Sequence, residues 1–167
     1  MTYREQALRI ALREVGAKET PAGSNWGARV AQYLAAAGIK SPAPWCAAFV
    51  TWCFQRAGMT ITTPGPASVE NWEQWAAKAG YIAARPLRAD LVCYDWNADN
   101  WYDHIGFVVK VLALRWKGTA FVGWVKTVEG NTSVGNDSNG GEVMIRYRWI
   151  SNAKFVRIPG APTAPAS

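Results

Sequence analysis

Three scarcities bound this 167-residue chain: one histidine, three cysteines, and no long apolar run. With His104 alone, a zinc site of the usual Cys/His kind lacks ligands. Cys46, Cys53 and Cys93 are an odd number without CxxC spacing, so no disulfide framework is expected and one thiol is free in any pairing. No stretch approaches the roughly 20 apolar residues that cross a bilayer. Met1 to Gln6 lead into an amphipathic pattern rather than the apolar core of a signal peptide, so export, if it occurs, needs another route. Internal repeats are absent, as is any basic-aromatic signature of an RNA-binding module.

Half of the residues are hydrophobic and 18% are charged, the composition of one folded domain with a substantial core. Eighteen Lys and Arg against twelve Asp and Glu give a net charge of +6, which suits polyanionic partners such as nucleic acid or an anionic cell wall. The basic residues are scattered in sequence, and the pair Arg146 and Arg148 reads as one solvated strand face.

Helical periodicity comes first. Helices are expected over about Thr2–Val15, with Thr2 and Glu5 spaced as a capping box, and over Trp26–Ala37, Pro44–Ala57 and Ser68–Ala79, each stopped by a glycine. The third is apolar nearly all round and should be central and buried. Trp72 and Trp75, three apart on the fourth, read as a core-facing edge. Strand-length β-branched and aromatic segments follow at Asp90–Tyr94, His104–Leu114, Thr119–Val128, Glu142–Trp149 and Lys154–Ile158, with a tight-turn signal at Asn139-Gly140-Gly141. Helices followed by strands predict an α+β domain over residues 1–158, with N-terminal helices packed on a C-terminal antiparallel sheet of about five to six strands. Residues 159–167 have a Pro/Ala-rich linker composition.

Pro44 suits the first position of the third helix, which puts Cys46 in its first turn. Unpaired N–H groups and the positive end of the helix dipole favour a thiolate there, the form of cysteine that attacks carbonyl carbon. Any Cys–His chemistry must then use His104, which opens its strand with Gly106 and Val108 on the same face. Gly106 leaves room beside the ring for a substrate or an incoming helix terminus. At the end of the next strand, Glu129 and Asn131 share a face by alternation, and antiparallel pairing brings one or the other to the imidazole. A thiolate attacking an amide, a histidine protonating the leaving amine and a polar group orienting that histidine form one mechanism. Cys53 and Cys93 read as buried, unreactive thiols. Trp45, Trp101, Trp124 and Asp103 are candidates for substrate contacts.

The segments Trp45-Cys46-Ala47-Ala48-Phe49-Val50, Asp90-Leu91-Val92, Asp103-His104-Ile105-Gly106-Phe107-Val108 and Glu129-Gly130-Asn131-Thr132 resemble, in order, the motifs of the CHAP family. These are cysteine- and histidine-dependent amidohydrolases and peptidases of phage endolysins and bacterial wall hydrolases. The resemblance implies a papain-like fold and cleavage of amide bonds in peptidoglycan. It carries the nucleophile onto Cys46, the general base and acid onto His104, and the orienting role onto Glu129 and Asn131. It also implies a monomer with peptidoglycan as partner and neither nucleic acid nor membrane, made in a host cytoplasm and reaching the wall after holin-type release or other export.

Where many family members have Gly-Asp-Leu, this chain has Ala89-Asp90-Leu91, a change that concerns the turn more than the chemistry. Some members bind calcium. Asp95, Asn97 and Asp99 alternate as in a calcium loop, but glycine is missing at the sixth position and glutamate at the twelfth. No cofactor is expected, and the segment reads as a polar hairpin turn with calcium as the alternative. Two other readings are a non-catalytic wall- or nucleic-acid-binding module of hydrolase-like shape, and a secreted antibacterial amidase.

Overall fold

The computed structural model describes residues 1–118 and 120–160. They form helices α1 (Tyr3–Arg13), α2 (Ala28–Ala36), α3 (Cys46–Arg56) and α4 (Val69–Lys78). Strands β1 (Ile82–Ala83), β2 (Leu91–Tyr94), β3 (His104–Lys117), β4 (Ala120–Thr132), β5 (Glu142–Ile150) and β6 (Ala153–Val156) follow. The expected α+β order of helices then an antiparallel sheet is the one observed, with six strands in the order β1-β6-β2-β3-β4-β5. The two-residue β1 lies outside the sequence expectation, because a pairing that short has no periodicity to read. Most of the proposed C-terminal linker, residues 161–167, lies outside the described residues.

Helix α3 is buried from Cys46 through Phe54, as an all-round apolar helix requires. Its surroundings are α1 and α2 on one side and the sheet residues Leu91, Cys93, Ile105, Phe107 and Val128 on the other. Thr2 caps α1 by accepting the Glu5 N–H, and Trp72 is buried with Trp75 edge-on against it.

The opposite sheet face holds a second core of Val92, Tyr94, Val108, Val125, Ile150 and Phe155. Its existence follows from topology. Only Ser151 and Asn152 join β5 to β6, although β5 pairs with β4 and β6 with β2, so the sheet must curl until Ile150 and Phe155 share one interior. Residues on that inner face near the start of β3 and the end of β4 become a buried polar site.

Between β4 and β5 the chain takes a loop over residues 133–141, whose tight turn is closed by Ser133 and Asn136, ahead of Asn139-Gly140-Gly141. Gly140 is pressed against this loop: a Cβ there would lie 2.0 Å from the Ser133 nitrogen.

Candidate active site

Cys46 occupies the first residue of α3, with Trp45 as N-cap and Pro44 one residue outside, a shift of two positions from the sequence expectation. Cys46 still lies in the first turn. The Trp45 carbonyl accepts the Phe49 N–H, and the N–H groups of Cys46, Ala47 and Ala48 precede the first intrahelical bond. Cys46 is 5% exposed, the only one of its cysteines with any opening to solvent. Cys53 and Cys93 are fully buried, and burial raises both thiol pKa values, which leaves them protonated and inert.

His104 and Glu129 face each other inside the curled sheet, Nε2 to Oε2 at 3.0 Å, both fully buried. Gly106 is what permits this. A Cβ on Gly106 would sit 2.6 Å from the Glu129 Cγ, so the room beside the ring that was expected for a substrate is filled by the Glu129 side chain. Gly130 does the same for the helix: a Cβ there would meet Trp45 Cζ3 at 2.8 Å and Phe49 at 2.9 Å. Both glycines therefore serve close approach, one of a side chain and the other of the cysteine-bearing helix.

Glu129 collects more partners than the histidine. Thr127 Oγ1 donates to it at 2.5 Å, the Tyr94 hydroxyl at 3.2 Å, and Arg148 grips it through Nε at 3.0 Å and Nη2 at 2.6 Å. Burial opposes the charged carboxylate, but the His104 and Arg148 contacts outweigh it and hold its pKa down at about 2. Arg148 is thus no solvated strand residue. It is 8% exposed, on the inner face because of the curl, and its Nη1 reaches Asp137 at 2.7 Å. Arg146 also pairs with Asp137, at 2.5 Å.

The imidazole's second nitrogen, Nδ1, is buried without a hydrogen-bond partner. Burial lowers the His104 pKa, yet Cys46 first and then Glu129 overcome it and lift the value to about 9. His104, Glu129, Arg148 and Asp137 form a chain of alternating charge when the imidazole is protonated. Each buried charge is then flanked by an opposite one, the condition under which buried ions are tolerated.

Asn131 lies apart from this chain. Its backbone turns left-handed (φ 58°) at a register shift between Glu129 and Thr132, which breaks the alternation that would have aimed it at the ring. Its Nδ2 donates to Ser138 O at 3.4 Å and Asn139 Oδ1 at 3.2 Å. Of the two residues offered to orient the imidazole, Glu129 is the one in hydrogen-bonding contact.

The aromatic candidates separate. Trp45 is fully buried, stacked on Tyr33 with centroids 5.4 Å apart, and cannot line a substrate groove. Trp124 is half-exposed against Trp149, five residues and about 16 Å along β4 from Glu129. Trp101 is exposed on the loop before β3. The ring that covers the site is Trp96, which stacks on His104 at 5.3 Å and 20° and on Tyr94 at 5.5 Å. Asp103 holds that loop by accepting the Trp96 N–H at 3.1 Å.

Trp96 belongs to the turn that carries Asp95, Asn97 and Asp99. The Asp95 carboxylate accepts the N–H groups of Asp99 and Asn100, and Asp99 that of Trp101, which makes the segment a self-bonded polar turn. Among the described residues, no group of three or more His, Cys, Asp or Glu side chains is arranged to hold a metal ion.

Another missed residue is Glu19. It is 7% exposed, accepts the Trp45 indole N–H at 2.9 Å, and its other oxygen has no partner. Its only sequence signal is a carboxylate beside a proline turn, which is indistinguishable from surface.

A family model described as CHAP domain matches residues 38–136, a span that holds Cys46, His104, Glu129 and Asn131. The chain belongs to the CHAP family. Membership implies peptidoglycan amidase or peptidase activity in general terms. No curated protein and no solved structure matches the chain. Arg148 and Glu19 fall outside the matched span of the CHAP model, although both touch residues within it.

Proposed function

We propose that this CHAP protein is a thiol hydrolase that cleaves one amide bond of peptidoglycan, as an N-acetylmuramoyl-L-alanine amidase or as an endopeptidase of the stem or cross-bridge, in the manner of a phage endolysin. The observation that supports the reading is the fully buried His104–Glu129 pair, Nε2 to Oε2 at 3.0 Å, with Cys46 and Glu129 raising the His104 pKa. The Cys46 thiolate attacks the carbonyl carbon, and the carbonyl electron pair moves onto oxygen, beside the free N–H groups at the start of α3. The tetrahedral intermediate collapses, the C–N bond breaks, and the His104 imidazolium gives its proton to the leaving amine. His104, now neutral, takes a proton from water as the water attacks the thioester, which releases the carboxylic acid and restores the thiolate.

Glu129 keeps the imidazole in the tautomer and orientation that aim Nδ1 at Cys46, and Arg148 keeps Glu129 ionised. Export to the wall after release from a producing cytoplasm is part of the same reading. The test is Cys46→Ala and His104→Ala against the parent protein on purified walls, followed by mass spectrometry of released fragments. Loss of turbidity clearance in both variants is the expected result. Free intact stem peptides would identify an amidase, and internally cut peptides an endopeptidase. Clearance by the Cys46→Ala protein at the parent rate would overturn the thiol mechanism.

A further inference from the structure

Arginines that are far apart in sequence converge on the helical side of the molecule. Arg9 and Arg13 of α1, Arg29 of α2 and Arg56 of α3 line one open cavity of about 580 Å³, together with Gln6, Ile10, Glu14 and Trp52. Gln6, Arg9, Ile10 and Arg13 are spaced as one helical stripe, so α1 turns two guanidinium groups into the cavity.

Its charge is unbalanced. Glu14 is the sole carboxylate of the lining and is already engaged by Arg29 at 2.6 and 2.5 Å and by the Tyr33 hydroxyl at 2.5 Å. Burial works against the Glu14 anion, but the Arg29 and Tyr33 bonds, with the charge of Arg56, hold its pKa below the usual carboxylate value. Arg9, Arg13 and Arg56 form no ion pair among the described residues. Two of the guanidinium groups are positioned by one ring. Arg29 lies 4.7 Å and Arg56 5.8 Å from the Trp52 indole, so less rotamer freedom remains to be lost when an anion arrives.

We propose that this cavity is a binding site for phosphodiester groups of an anionic wall polymer, separate from the hydrolytic site. Planar guanidinium forks match phosphate oxygens two at a time. The volume is that of an ordinary ligand pocket and admits a short polymer segment. A lipid surface fits less well, because Trp52 is buried under the guanidinium groups and the lining otherwise offers only Ile10 and the exposed Met1 to insert among acyl chains. Arg56 ends the helix that Cys46 begins, about 15 Å away along its axis, so a bound polymer would hold the enzyme at the wall without blocking the thiol. The choice of a wall polymer rests on the proposed peptidoglycan activity, but binding is read without catalysis.

The experiment is isothermal titration of the whole protein with short poly(glycerol phosphate), beside co-sedimentation with phosphatidylglycerol vesicles. The triple variant Arg9→Ala/Arg13→Ala/Arg56→Ala is compared with Lys40→Ala/Lys110→Ala/Lys117→Ala, which removes the same charge from exposed positions elsewhere. Saturable binding of the oligomer, weakened about tenfold or more in the arginine variant and by no more than about twofold in the lysine variant, is expected. Equal weakening in both, or no saturable heat with the parent protein, overturns the site. Vesicle binding that depends on the three arginines while the oligomer does not bind overturns the polymer assignment. Should the triple variant melt early, Arg9→Glu and Arg56→Glu singly carry the same comparison. Intact binding with no hydrolysis of walls would sink the enzymatic reading alone.

Discussion

The Trp45 indole N–H donates to Glu19 at 2.9 Å, and this bond ties the loop before α2 to the residue that caps the cysteine-bearing helix α3. Glu19 N–H also bonds Gly141 O at 2.9 Å, so the same residue reaches the β4–β5 loop. It touches Trp45 and not Cys46, so on the proposed mechanism it is a positioning residue. Glu19→Ala strands a buried indole donor and is expected to cost about 1–3 kcal/mol in denaturant unfolding. Glu19→Gln keeps an acceptor and should cost less. Alkylation of Cys46 by iodoacetamide should slow in Glu19→Ala and recover in Glu19→Gln. Parent-like alkylation in Glu19→Ala would confine its role to stability.

A single histidine makes pH behaviour directly readable. His104 is lifted from an ordinary 6.5 to about 9, with burial opposing and Cys46 and Glu129 prevailing. Because the folded value is the higher one, the associated stability is fully present below pH 6.5 and is lost as pH rises through about 9. The kcat/KM profile should carry an alkaline limb near pH 9, where the general acid loses its proton. NMR titration of the lone imidazole should give the same midpoint, moved downward in Cys46→Ala. A midpoint near 6.5 in the parent protein would contradict the ion-pair reading.

Glu129 has the opposite sign. Its pKa falls from 4.5 to about 2, so its contribution is complete above pH 4.5 and disappears as pH drops through about 2. Glu129→Gln leaves His104 and Arg148 as neighbouring buried cations with no anion between them. A loss on the order of 3–5 kcal/mol is expected in urea unfolding, with a lowered His104 midpoint. The double variant Glu129→Gln/Arg148→Met removes the stranded guanidinium and should lose less than the sum of the single changes. Strict additivity would mean that Arg148 does not act through Glu129.

The helical half of the fold and the Cys46–His104–Glu129 line were legible because each rests on local periodicity. Glycine stops, a capping residue and strand alternation place those side chains without tertiary knowledge. What stayed hidden depends on closure of the sheet. Arg148 alternates like a solvent-facing residue, and only the two-residue link from Ile150 to Ala153 turns its face inward. Asn131 was misaimed because alternation assumes a regular strand, and its left-handed backbone breaks the register. The arginines scattered over three helices form one cavity only after those helices pack. Trp96 sat in a polar turn whose composition gave no hint that its ring would cover the histidine.

Gly106 offers the sharpest separation of activity from stability. In Gly106→Ala the new methyl falls 2.6 Å from Glu129 Cγ and 3.0 Å from Val128 O, closer than packing allows. Glu129 is held by Arg148, Thr127 and Tyr94 and can move only by loosening those bonds or its 3.0 Å contact with His104. Overpacking of this kind costs about 1–3 kcal/mol, so the variant should still fold at 25 °C. Wall hydrolysis should nonetheless fall by about a hundredfold, since small displacements of a catalytic group have effects of that size. The fall should appear in kcat rather than KM, with a lowered His104 midpoint by NMR, because the imidazole loses its orienting carboxylate while the surface that meets substrate is unchanged. Gly130→Ala, which presses on Trp45 and Phe49 instead, should shift Cys46 alkylation and leave the imidazole midpoint closer to the parent value. If Gly106→Ala hydrolyses walls at the parent rate, Glu129 does not set the position of His104.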